Sequence, residues 1–378
     1  MDFDLSGDQK ILQTSVREFL NKECSKDKVR ELEEDERGYD IEMWKKMAEL
    51  EWMGVVFPEE YGGTEGDFID LMILVEEMGR YILPSPFFST ILSSLSILEY
   101  GDEGQKEKFL PKIAKGEEIW TLALMESSVT YEASGIKLRA IPEKEEYILE
   151  GTKLFVPYAH VADRLLVVAR TSEEKNPKDG ITVFIVDVAK TKGLEVEVIP
   201  TAAHDKQCEV RFDHVKVSKD NVLGDVGRGW DVVNFIIQRG AVLKCAEMVG
   251  GAQAVLEMAN DYAKERVQFD RPIGSFQAIQ HKLADMFTEI EGLRYLVYEA
   301  AWMINVGSPS DLLISMGKAK ANEVYQRTCI EGIRIHGAIG FTREEDVGLY
   351  YLRTKAAEFA FGDTDSHRKQ IAIELERS

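Results

Sequence analysis

A change of hydrophobic period along the chain constrains its fold more than any other feature. From Asp8 to about Lys115 apolar residues recur at helical spacing. Ile11, Val16, Phe19 and Leu20 form one stripe, and Met43, Trp44, Met47, Ala48 and Leu50 form another. After Gly116 the period drops to two, in β-branched runs at 165–169, 181–186, 194–199 and 210–217 separated by polar or Gly-containing turns. From Trp230 helical spacing returns. Val242, Cys245, Val249, Ala252, Leu256, Ala259 and Ala263 mark one helix, Ile279, Leu283, Met286, Ile290, Leu293 and Val297 the next, and a third runs from about Leu312 to Ile335.

This order predicts an α+β, mainly α fold. An N-terminal helical domain covers 1–116, a middle antiparallel β domain 117–226, and a C-terminal four-helix bundle 227–378. No helical run interrupts the strands, which argues against a doubly wound parallel sheet. Turn residues at 57–63 and 83–86 punctuate the first domain. At 378 residues the chain exceeds one ordinary core, so several subdomains are expected. Bundles of this size self-associate through their remaining apolar faces.

Charge narrows the partners. A formal net charge of −21 repels nucleic-acid backbones and anionic lipid surfaces, so neither nucleic acid nor membrane is an expected partner. The first residues form neither a basic leader nor an apolar core, and no later run reaches spanning length, which gives a cytoplasmic expectation. Cys24, Cys208, Cys245 and Cys329 lack CxxC pairing and the histidines are scattered, so reduced core thiols and no metal site are expected.

Three strings in the C-terminal half stand out: Arg266 through Phe269 to Phe276, Gln277 and Gln280; Ile335-His-Gly337-Ala-Ile-Gly340-Phe-Thr342; and Asn221 through Gly224 to Trp230. With the order of domains they resemble the acyl-CoA dehydrogenase family over essentially the whole chain. The resemblance implies a flavoprotein that binds FAD, acts on an acyl-CoA substrate and passes electrons to an electron-transferring flavoprotein. It also implies a homotetramer, or a heterotetramer with a homologous subunit. Arg266, Phe269, Gln277, Gln280, Arg334, Gly337 and Gly340 would grip the ADP half of a neighbouring chain's FAD. A dinucleotide asks for these residue types: a cation for the pyrophosphate, amides for polar edges, and small residues where backbone comes close. Phe155, Met125, Ser127, Thr364 and Ser366 would face this chain's own cofactor. His336 would pack under the adenine rather than titrate.

The implied reaction is α,β-dehydrogenation, in which a carboxylate removes the α-proton while the β-hydrogen leaves as hydride to the flavin. Here the chain departs from the family. Both positions at which the family carries its catalytic Glu align to glycines, Gly362 and Gly240. The strand Thr that would donate to the flavin ring aligns to Pro157, which has no side-chain donor, and another Thr aligns to Met125.

Two readings follow. In the first, Asp363, displaced by one residue, is the catalytic base, with Asp365 and His367 less favoured; the bland reading of Asp363 is a turn or cap residue. In the second, the chain is the base-deficient subunit of a heteromeric enzyme and completes a partner's FAD site. A reading from a different class makes it a non-redox scaffold for CoA esters. Phe87, Phe88 and Ile91 are candidate walls of an acyl pocket, or simply core. Arg239 would approach the thioester or CoA, or form a salt bridge. Glu247 with Lys244 three residues earlier reads as an ordinary helix-face pair.

Overall fold

The computed structural model describes residues 4–377. Along the chain the helices are α1 (Gly7–Glu23), α2 (Lys26–Glu34), α3 (Ile41–Glu49), α4 (Phe68–Tyr81), α5 (Phe87–Tyr100) and α6 (Glu103–Ala114). Strands follow as β1 (Trp120–Ala123), β2 (Arg139–Glu143), β3 (Glu146–Pro157), β4 (Arg164–Arg170), β5 (Ile181–Asp187), β6 (Leu194–Ile199), β7 (Gln207–Ser218) and β8 (Val222–Leu223). The last third holds α7 (Gly229–Glu265), the short hairpin β9 (Val267–Gln268) and β10 (Arg271–Pro272), α8 (Gln277–Asn305), α9 (Asp311–His336), α10 (Val347–Phe359) and α11 (Thr364–Arg377).

Local chemistry sets the helix starts. Ser6 and Gln9 close a reciprocal capping box on α1, and Asp67 with Asp70 closes one on α4. Asp40, Asp102 and Ser310 cap α3, α6 and α9 by accepting from the third backbone N–H of each helix.

The chain divides into two compact units that interleave in sequence. One comprises Met1–Arg30, Asp67–Leu83 and Gly240–Ser378, the other Glu31–Gly66 and Pro84–Arg239. Two stretches of the N-terminal helical segment therefore belong with the bundle rather than with their sequence neighbours. Within the bundle unit, α4 crosses α7 at two glycines. A Cβ on Gly79 would lie 2.7 Å from Glu247 Cα, and one on Gly250 would lie 2.8 Å from the Glu76 carbonyl carbon. Only glycine permits that backbone approach. The helices α8 and α9 run antiparallel, since Lys282 pairs with Glu331 and Glu289 with Arg327.

In the other unit the strands order β6-β7-β3-β2-β4-β5-β8, with β1 added alongside β4. The ladders are antiparallel except β1 with β4 and the single pair Arg139 with Arg170, which are parallel. The strands β4 and β5 are almost wholly buried, and Trp120 and Phe109 meet edge to face with ring centroids 4.9 Å apart. This is the unit's apolar core.

Some expectations need correction. Ile11, placed on the α1 stripe, is 69% exposed, and Leu50 lies just beyond α3 on the surface. The core of α1 rests on Val16 and Leu20 instead. The β-branched runs did not mark β1, β2 or most of β3, since β2 and β3 carry exposed Arg139, Glu143 and Gly151 among their residues.

Candidate functional site

The dinucleotide-type residues gather at one end of the bundle unit. Arg266 ends α7, and its carbonyl accepts from Ile273 N at 2.8 Å, folding the β9–β10 hairpin back on the helix end. Phe269 and Asp270 form the hairpin tip, both with positive φ, and Phe269 is 87% exposed. Phe276 sits edge-on to Phe269, and the Arg271 guanidinium lies 4.0 Å over the Phe276 ring. Gln277 opens α8, and Gln280 Nε2 donates to Gly274 O at 2.9 Å.

The end of α9 lies beside this, because α8 and α9 are antiparallel. Tyr262 of α7 stacks on His336 with ring centroids 4.4 Å apart. Gly337 has φ 72, a backbone that L side chains adopt only under strain. At Gly340 a Cβ would meet Ile333 O at 3.0 Å. The structure thus brings Arg266, Phe269, Gln277, Gln280, Arg334, Gly337 and Gly340 to one end, with the exposed Phe341 among them. Arg334 pairs with Glu331, and His336 is buried with one ring face covered by Tyr262 and Nδ1 facing Gly332 O at 2.8 Å. It packs in the protein core. Below this end α8 and α9 leave a cavity of about 440 Å³ lined by Lys282, Met286, Glu289, Arg327, Thr328 and Glu331.

The turn between α10 and α11 carries Gly362 and Asp363. Asp363 Oδ1 accepts from Ser366 N at 2.8 Å and Asp363 O from the Ser366 hydroxyl at 2.9 Å, so Asp363 starts α11. These hydrogen bonds hold its carboxyl below the usual range. A capping carboxylate so held is a poor proton acceptor. Thr364 and Ser366 lie in the first turn of α11, and Asp365 is exposed. His367 is buried, its Nε2 is 2.9 Å from Phe361 O, and burial pushes its pKa down to about 4, so the ring is neutral and donates there. Between Asp231 and Glu247, α7 carries no carboxylate. Gly240 faces the Phe361 ring.

On the strand unit, Met125, Glu126 and Ser127 follow β1. Leu154 N donates to Met125 O at 2.9 Å. The β3–β7 ladder slips between Lys153 and Val156, and this bulge puts Phe155 at φ 52 with its ring exposed. Pro157 offers only its carbonyl, which accepts from Thr121 Oγ1 at 2.6 Å. Beneath lies a buried ion pair that sequence reasoning missed. Lys153 Nζ donates to Glu126 Oε1 at 2.6 Å and to Leu124 O at 3.0 Å, and Glu126 also accepts from the backbone of Lys137 and Leu138. Phe87 and Ile91 are buried core residues of α5. The Arg239 guanidinium lies 3.4 Å over the Phe235 ring, and Glu247 pairs with Lys244.

Comparison with known proteins decides the family. Three domain profiles match in order: acyl-CoA dehydrogenase N-terminal domain at 6–117, middle domain at 121–215 and C-terminal domain at 227–375. The chain belongs to the acyl-CoA dehydrogenase family. It is accordingly an oxidoreductase of the class acting on CH–CH groups, in a family of flavoproteins. A probable acyl-CoA dehydrogenase of Bacillus subtilis is 33% identical, over 99% of this chain and 100% of that one. A subunit of the caffeyl-CoA reductase–Etf complex of Acetobacterium woodii is 31% identical, over 97% of each. Among solved structures, a chain of the ChsE4–ChsE5 complex of Mycobacterium tuberculosis matches with a TM-score of 0.90 at 27% identity, over 100% of both. Among the described residues no helix is long and apolar enough to cross a membrane, and no cluster of three His, Cys, Asp or Glu could hold a metal.

Proposed function

We propose that this chain is the base-deficient subunit of an FAD-dependent acyl-CoA dehydrogenase, and that a homologous partner subunit supplies the carboxylate. The observation that carries the reading is the state of the two aligned base positions. Gly362 and Gly240 carry no acid, the Phe361 ring lies against Gly240, and the neighbouring Asp363 is committed to capping α11. The chain's likeness to a chain of the ChsE4–ChsE5 complex supports assembly with a second, different chain.

The residues present fit one half of an FAD better than the other. At the bundle end, Arg266 would meet the pyrophosphate, Gln277 and Gln280 would meet polar edges, and Gly337 and Gly340 leave the backbone open. Phe269 and Phe341, both exposed there, give the apolar surface that an adenine or a neighbouring chain would cover. On the strand unit, Met125 and Pro157 offer no side-chain donor to a flavin ring, whereas Phe155 presents an exposed aromatic face. Bound FAD supplies hydride acceptance from the β-carbon of the acyl group. This chain's contribution is to hold the ADP end and exclude water, and the α-proton goes to the partner's carboxylate. Electrons then pass to an electron-transferring flavoprotein, as the likeness to an Etf-complex subunit supports.

The test is FAD content and flavin reduction with and without the partner. The chain purified alone is expected to hold well under one FAD per chain and to show no bleaching on adding acyl-CoA. Co-expressed with a Glu-bearing homologue, it is expected to yield a yellow complex that bleaches. One FAD per chain and bleaching by the chain alone would overturn the proposal in favour of a self-sufficient enzyme with Asp363 as base.

A further inference from the structure

The turn between α10 and α11 is held from several sides at once. Lys318 of α9 is fully buried, and its Nζ is ringed by Asn322 Oδ1 at 2.6 Å, Gly362 O at 3.0 Å, and Ala357 O and Glu358 O at 3.1 Å. Two of these carbonyls belong to the last turn of α10, where a cation also meets the negative end of the helix dipole. His367 donates to Phe361 O, and Asp363 caps the next helix. Only a turn fixed at this many points keeps Phe361, a bulky residue, at φ 59.

That backbone aims the Phe361 ring at Gly240. A Cβ on Gly240 would lie within 2.7 Å of three ring carbons. On the other side of the turn, Gly362 has φ 106, and a Cβ there would lie 2.7 Å from His367 Nε2. Each aligned base position is therefore blocked by a neighbour, which a mere Glu-to-Gly loss would not produce.

We infer that Phe361 is a stopper: its ring, fixed in place by the turn that Lys318 and His367 hold, fills the volume beside Gly240 and bars an acid side chain there, while His367 Nε2 stands where a side chain at Gly362 would begin. The inference deepens the base-deficient reading above and rests on it. The consequence is specific. A base cannot be restored by one substitution, because the ring and the turn must move as well. Lys318 is a positioning residue that acts through Phe361.

A packing cycle on the full chain tests this. Gly240→Ala is expected to lower the melting temperature by about 5 °C or more in the wild-type background and by about 1 °C or less beside Phe361→Ala. An equal loss in both backgrounds overturns the stopper. A second measurement reads the ring itself, using 4-fluorophenylalanine at position 361 and fluorine NMR. Lys318→Met is expected to move the resonance toward its unfolded position while far-ultraviolet circular dichroism stays native, and an unmoved resonance overturns the role of Lys318. Neither arm involves flavin. Bleaching of the wild-type chain by acyl-CoA would therefore defeat the proposed function while leaving the packing result to be read separately.

Discussion

Replacing Glu126 by Gln strands a buried ammonium. Lys153 is fully buried in β3, and among the described residues its only other acceptor is Leu124 O. Burial pushes Lys153 down to about 8 against the opposing pull of Glu126, so its charge at neutral pH depends on that carboxylate. Breaking a buried pair on one side costs about 3–5 kcal/mol. Removing both charges costs far less, about 1–2 kcal/mol for the hydrogen bonds that Glu126 gives up at the amides of Lys137 and Leu138. At roughly 2–4 °C per kcal/mol, Glu126→Gln and Lys153→Met should each lower the melting temperature by roughly 6–20 °C. The double variant should recover most of that loss. Thermal unfolding followed by circular dichroism reads the cycle, and hydrogen exchange at Lys137 and Leu138 reads its location. A double variant as unstable as the sum of the singles would refute the coupling between Lys153 and Glu126.

Other perturbations separate further parts of the structure. Because burial holds His367 down at about 4, the unfolded chain binds a proton between about pH 6.5 and 4 that the folded chain lacks. Stability therefore falls on acidification through that window, by up to about 3 kcal/mol. His367→Gln should flatten this part of the stability–pH curve, and a curve unchanged by the substitution would show that the fold does not lower the pKa of His367. Gly250→Ala should destabilise by about 2 kcal/mol or more, since its Cβ collides with α4 backbone that cannot yield as a side-chain tip does. Unfolding in urea checks this, and a variant as stable as wild type would mean that α4 and α7 are not in such close approach.

Much of the architecture was legible because period reports burial directly. The switch from helical spacing to alternation and back located the strand layer, and the α7 stripe from Val242 to Ala263 is buried throughout. Periodicity failed where burial is not set by the residue's own face. Ile11 obeys the α1 stripe yet faces solvent, and β3 carries Lys153 into the core because Glu126, 27 positions earlier, meets it there. The strings proposed to hold a dinucleotide could be read in sequence because each is local. Lys318 sits among the small residues Gly317, Ala319 and Ala321 of α9, but nothing local says that it binds carbonyls some 40 positions onward.

The sequence by itself determined the order of helical and strand segments, the strings on which the dinucleotide proposal rests, and the glycines at 240 and 362. Each of these is written in neighbouring residues or in a fixed period. Only the tertiary structure decided that Asp363 spends its carboxylate on a helix cap, that Phe361 occupies the space beside Gly240, and that α1 and α4 join the bundle. Those outcomes depend on which distant side chains compete for the same volume and the same hydrogen bonds, and that competition exists only once the chain has folded.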